Sequence, residues 1–106
     1  MISDERKEKA MRYLAETDLD CAELEGEQVR REYLLDMIKD RVFLTADGSS
    51  IREREARANT SAEVQRAHEE YVQALVRFKH MKSKRQTETM ICDQWRSENA
   101  NRRQGQ

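Results

Sequence analysis

Apolar residues recur at three- and four-residue intervals in two long stretches of this chain, separated by a short polar connector. The second stretch carries the clearer pattern. Val64, Ala67, Tyr71, Ala74, Phe78, Met81, Arg85, Glu88, Cys92 and Trp95 alternate steps of three and four, the a/d spacing of a heptad seam sustained over more than four repeats. Only Arg85 and Glu88 break its apolar character. Leu75 widens the seam and Ile91 flanks it, which makes room for more than two helices along it. In the first stretch Met11, Leu14, Ala15, Leu19, Ala22, Val29, Tyr33, Met37 and Ile38 form the expected buried stripe, interrupted by Gly26. Ser3 ahead of Asp4 and Glu5 supplies an N-cap with acids in the first turn, where free N–H groups favour them. The pattern predicts a helix over about 4–42, spanning roughly 55 Å at 1.5 Å per residue. Gly26 costs that helix about 1 kcal/mol relative to alanine and points to close helix packing or a bend.

The connector, residues 43–50, reads FLTADGSS. Asp47-Gly48 is a turn signal, and Ser50 with Glu53 has capping-box spacing, so a helix starts near Ile51. Phe43 and Leu44 are expected to fold back as a plug over the end of the helix pair. Thr60 and Glu63 repeat the capping-box spacing. Asn59, Thr60 and Ser61 also offer side-chain bonds that compete with an uninterrupted helix. A short helix over about 51–58, then a break and a long helix over about 61–99, is therefore favoured over one continuous helix; residues 100–106 are read as a frayed tail. The whole is one all-α domain: a long, coiled-coil-like antiparallel helical hairpin with a short extra helix near the turn.

Charge supports the antiparallel return. Six acids and no base lie between Glu16 and Glu27, and five bases and no acid between Arg77 and Arg85. Folding about residues 47–50 sets the two blocks opposite each other. Arg85, on the seam, is expected to pair with Asp18 or Glu25, fixing register more than adding stability. The formal charge of −1 hides halves of opposite sign: residues 1–43 carry −4 and residues 44–106 carry +3. So thin a hairpin has little interior, which makes self-association into a bundle, most simply a dimer, the expected state.

Candidate chemistry adds little beyond architecture. Glu69-Glu70 and the acids after Glu16 suit an ordinary helix surface, and neither His68 nor His80 has partners at metal-ligand spacing. Cys92 has no histidine near it in sequence to activate it. No Gly-rich phosphate loop occurs, and no cofactor, metal or small-molecule substrate is expected; the chain does not read as an enzyme. Cys21 and Cys92 both fall on apolar stripes, as reduced buried thiols or as a bridge between the helices. A start with charges but no apolar run argues against a signal peptide or a membrane partner and for a cytoplasmic protein. Arg77, Lys79, Lys82 and Lys84 are the candidates for phosphate contact, a reading opposed by the acidic block and by few aromatic residues for stacking. At the C-terminus Trp95 closes the seam, followed by Arg96, Ser97, Asn101, Arg102 and Arg103 with hardly an apolar residue left to bury. The favoured reading packs Trp95 on Met11 and the first turns of helix one. Tryptophan and arginine are also concentrated in binding hot spots, so this segment, together with the outer helix faces, is the candidate for docking a protein partner, and the two roles can coexist.

The run GSS-x-R-E-R-E-A-R from Gly48 to Arg57 and the run WRS-x-x-A-N-R-R from Trp95 to Arg103 resemble small all-helical proteins of tailed bacteriophages, encoded near recombination or early replication genes. The likeness covers residues 48–103. It implies an accessory or adaptor role in a host cytoplasm, with a nucleic-acid accessory role as the alternative, and it transfers no catalytic residue. Trp95, Arg96, Ser97, Asn101, Arg102 and Arg103 carry it.

Overall fold

A computed structural model describes residues 1–105; Gln106, the end of the expected tail, lies outside the described residues. The described chain is all helix and connector: α1 (Asp4–Thr45), α2 (Ile51–Asn59) and α3 (Ala62–Gln104). α1 begins where the sequence places it, because the Arg6 N–H donates to Ser3 Oγ at 3.0 Å and the Lys7 N–H to the Ser3 carbonyl at 3.0 Å. It ends at Thr45, three residues beyond the expected 42, and α3 runs through Gln104, beyond the expected 99. Thr45 turns its hydroxyl back onto the Arg41 and Val42 carbonyls, satisfying acceptors that a helix end leaves open. Residues 100–104, expected to fray, are helical.

The break between α2 and α3 falls where Asn59, Thr60 and Ser61 were expected to place it, but the capping residue differs. Ser61 Oγ accepts from the Val64 N–H at 3.2 Å, so Ser61 caps α3. Thr60 instead bonds its hydroxyl back to the Ala56 carbonyl at 2.9 Å and closes α2. At the start of α2, Ser50 Oγ accepts from the Glu53 N–H at 3.2 Å, while Glu53 reaches back one residue further than a capping box requires, to the Ser49 N–H and hydroxyl. Those donors, the Ser49 N–H foremost, hold the Glu53 carboxyl below the usual glutamate range, with Arg57 assisting.

Internal packing divides the chain into two units: Met1–Glu23 with Lys79–Gln106, and Leu24–Phe78. In each, the α1 and α3 stretches run antiparallel, the arrangement of a helical hairpin. In the Leu24–Phe78 unit Leu35, Val64 and Ala67 form an apolar core, with Ile38, Val42 and Tyr71 packed on it. Ion pairs rim it: Arg31 with Glu70 at 3.0 Å, and Arg41 with Glu63. Arg31 also bonds Glu27 at 2.8 Å, the main reason the Glu27 carboxyl sits below its ordinary value. α2 buries Ala58 and shares a shallow cleft with Lys39, Asp40 and Phe43. Phe43 is half-buried there, but Leu44, expected in the same plug, is 75% exposed because both residues continue α1 instead of folding back.

Every seam residue read from α3 is buried or half-buried, Arg85 and Glu88 included. The first helix turned out otherwise. Of its nine expected stripe residues only Leu14 and Ile38 face inward; Met11, Ala15, Leu19, Ala22, Val29, Tyr33 and Met37 are exposed. The face that packs on α3 is the heptad Lys7, Ala10, Leu14, Thr17, Cys21, Leu24, Gln28, Arg31, Leu35, Ile38 and Val42, all buried or half-buried. Four of its positions are polar. Three of them find partners there, Lys7 over the Trp95 ring, Thr17 with Arg85 and Arg31 with Glu70, while a second apolar stripe of α1 is left outside.

Candidate interaction surfaces

Arg85 is the best-anchored charge of the Met1–Glu23 and Lys79–Gln106 unit. Its Nη1 donates to the Leu14 carbonyl and to Thr17 Oγ1, both at 2.7 Å, and its Nη2 to Asp18 Oδ1 at 3.1 Å. Of the two acids expected beside it, Asp18 is the partner; Glu25 belongs to the other unit. The pair is not buried on both sides, since Asp18 keeps 81% of its side chain exposed against 20% for Arg85. The inward anchors are the carbonyl and hydroxyl, which sequence spacing did not single out. A second polar crossing joins Arg6 to Glu88, with Nη2 at 2.9 Å from Oε1 and 2.8 Å from Oε2, only the first aligned as a hydrogen bond. Arg6 Nη1 and Glu88 Oε2 are buried without a hydrogen-bond partner. The guanidinium's nearness compensates the carboxylate charge even so.

At the C-terminal segment the indole N–H of Trp95 donates to Asp4 at 2.8 Å, and the Lys7 ammonium sits 4.3 Å above its ring. Glu98 accepts from the Ile2 N–H at 2.9 Å. Trp95 is thus half-buried against the first turn of α1 through polar partners, while Met11, expected as its apolar neighbour, is 55% exposed. Arg96 bonds Asp93 at 3.4 Å on its own helix, and Arg102 reaches the Met1 sulfur at 3.4 Å. Ser97, Asn101 and Arg103 are exposed. Trp95 is tied to α1, and the arginines after it line the surface of the last turns of α3.

The basic candidates do not form one stripe. Lys79 and Lys82 share one flank of the α3 seam, while Lys84 lies on the opposite flank with its ammonium 5.8 Å from the Tyr13 ring. Arg77 is exposed in the other unit. Both cysteines are free thiols, Cys92 buried and Cys21 half-buried. Among the described residues no group of His, Cys, Asp or Glu is placed to hold a metal ion, and no helix is long and apolar enough to cross a membrane.

Sequence reading assigned the third surface to the core. In the Leu24–Phe78 unit, Val29, Tyr33 and Met37 lie four residues apart on the outer face of α1 and are 57%, 64% and 51% exposed. Gly26 sits on the same line, and nothing lies within 4 Å of where its Cβ would be. Comparison with protein-family models, curated proteins and solved structures gives no match.

Proposed function

We propose that this chain is a helical protein–protein interaction module whose contact surface is the outer face of α1 in the Leu24–Phe78 unit. The observation that carries the reading is the exposure of Val29, Tyr33 and Met37 on one helical face, separate from the face of the same helix that packs on α3. Single exposed apolar residues are ordinary, but an aligned run on one helix face is the form that helix-in-groove and helix–helix partners recognise. An adaptor role of the kind implied by the bacteriophage resemblance is compatible with such a surface. The basic side chains support nucleic-acid binding less well, because Lys84 lies over Tyr13, Arg85 is held by α1, and the remainder are spread around α3.

Capture from the native cell in the presence of nuclease tests the reading. The expected outcome is a nuclease-resistant partner lost by the double variant Val29→Glu/Tyr33→Glu, with helical content by circular dichroism unchanged. Recovery that vanishes on nuclease treatment, or that is indifferent to the double variant, overturns it.

A further inference from the structure

The outer face of α1 also indicates what covers it, an inference that rests on the reading above and narrows it. We propose that the occupant is a second copy of this chain, the two α1 helices packing parallel to one another through Gly26, Val29, Tyr33 and Met37. Two independent features point there.

The first is Gly26. It lies inside a long helix, where glycine is the least favoured residue after proline. Beyond its own stretch of helix backbone, nothing lies within 4 Å of the space a Cβ would fill, so neither a turn nor intrachain crowding accounts for it. A glycine on the apolar line leaves room for the backbone of a second chain to come close.

The second is the charge on either side of the line. At 100° per residue, Glu25 and Asp36 flank one edge of the stripe, and Arg30 and Arg41 flank the other. Each acid precedes its base by five residues, the offset at which flanking charges meet across two parallel helices. The two sets are eleven residues apart, which is nearly three whole turns, so they stay on the same edges. A parallel two-fold therefore sets Glu25 of each copy against Arg30 of the other, and Asp36 against Arg41. An antiparallel pairing sets acid edge against acid edge and base edge against base edge. Arg30 already bonds Glu27, and Arg41 bonds Glu63, but a guanidinium carries five N–H donors and retains some for a second carboxylate. Asp40, next on the line after Met37, ends the apolar run and bounds the contact.

Sedimentation velocity on the full chain over a range of micromolar concentrations tests the proposal. A concentration-dependent dimer is expected, weakened at least about tenfold by Val29→Glu/Tyr33→Glu and by Gly26→Leu, with the isolated chain's thermal midpoint raised or unchanged by Gly26→Leu. Arg30→Glu should weaken the dimer, and Glu25→Arg added to it should restore it. Orientation is read in a Cys21→Ser background: a short bis-maleimide should cross-link Val29→Cys between copies, because parallel pairing puts residue 29 opposite itself. A monomer at every concentration overturns the inference, as does a dimer insensitive to these substitutions; a dimer that fails to cross-link overturns the parallel arrangement. If the chain stays monomeric while Val29→Glu/Tyr33→Glu abolishes nuclease-resistant capture, this inference fails and the interaction-module reading survives.

Discussion

The two packing units solve the same problem, holding α1 against α3, with different chemistry. The Leu24–Phe78 unit closes over Leu35, Val64 and Ala67, with Ile38, Val42 and Tyr71 around them and ion pairs only at the rim. The Met1–Glu23 and Lys79–Gln106 unit buries small residues, Ala10 and Cys92, and spans its seam with Arg6–Glu88, Arg85 on the Leu14 carbonyl, and Trp95 on Asp4. Apolar burial is non-directional and scales with area, so the first unit draws its stability from packing. Hydrogen-bonded charges cost desolvation and satisfy only one geometry, so the second draws its register from polar crossings and gains less net stability from them. Amide exchange should follow that split, with slowest exchange around Leu35 and Ala67 and faster exchange around Ala10 and Cys92; uniform protection would erase the contrast.

Substitutions sharpen the comparison in order of size. Leu35→Ala should cost about 3 kcal/mol in urea unfolding, because it removes a core side chain that is 8% exposed. Breaking the polar seam one-sidedly should cost less: Glu88→Leu alone about 1–2 kcal/mol, by stranding Arg6, whose partial exposure moderates the effect. The double variant Arg6→Leu/Glu88→Leu should return to near the parent's stability; a double as destabilised as the single would show that the pair contributes net stability. Arg85→Met should cost about 1–2 kcal/mol through its carbonyl and hydroxyl partners, whereas Asp18→Asn should stay within about 0.5 kcal/mol because that carboxylate is mostly solvated. An equal loss from the two would return the ion pair to the centre of the interaction.

At the connector, Ser61→Ala should cost about 1 kcal/mol and Thr60→Ala less, reversing the order that capping-box spacing alone suggests. The smallest effect is one of pH. The Glu53 carboxyl is held low by Ser49 and Arg57, so its contribution is fully present above the ordinary glutamate range and is lost as pH falls through the lowered value. Glu53→Gln should flatten that acid limb of the thermal-stability profile; a limb as steep as the parent's would remove Glu53 as its source.

Much of this was legible in the residues. The α3 seam could be read residue by residue because its period is strict and its apolar positions are large, and the Ser3 cap and the break near Thr60 follow from local side-chain bonding that needs no tertiary partner. Matching two charge blocks narrowed the partner of Arg85 to Asp18 or Glu25, and the structure selects Asp18. What the sequence concealed lay on α1, where two faces compete. Met11, Leu19, Val29, Tyr33 and Met37 look like a core, while the packed face mixes Ala10 and Leu35 with Lys7, Thr17, Gln28 and Arg31. Nothing in hydrophobic periodicity separates an inner stripe from an outer one when both recur at helical spacing. The candidate surface was misassigned for that reason alone.

Period, caps, turn residues and charge blocks act over a few residues or along one helix, and so the sequence by itself determined three helices, their approximate bounds and the antiparallel return. The choice of which α1 face meets α3 was decided only in the tertiary structure. It depends on partners distant in the chain: on Leu35, Ile38 and Val42 meeting Val64, Ala67 and Tyr71 in one unit, and on the Leu14 carbonyl and Thr17 hydroxyl being where Arg85 needs acceptors in the other. With that face packed on α3, the apolar line through Gly26, Val29, Tyr33 and Met37, on another side of the same helix, faces outward.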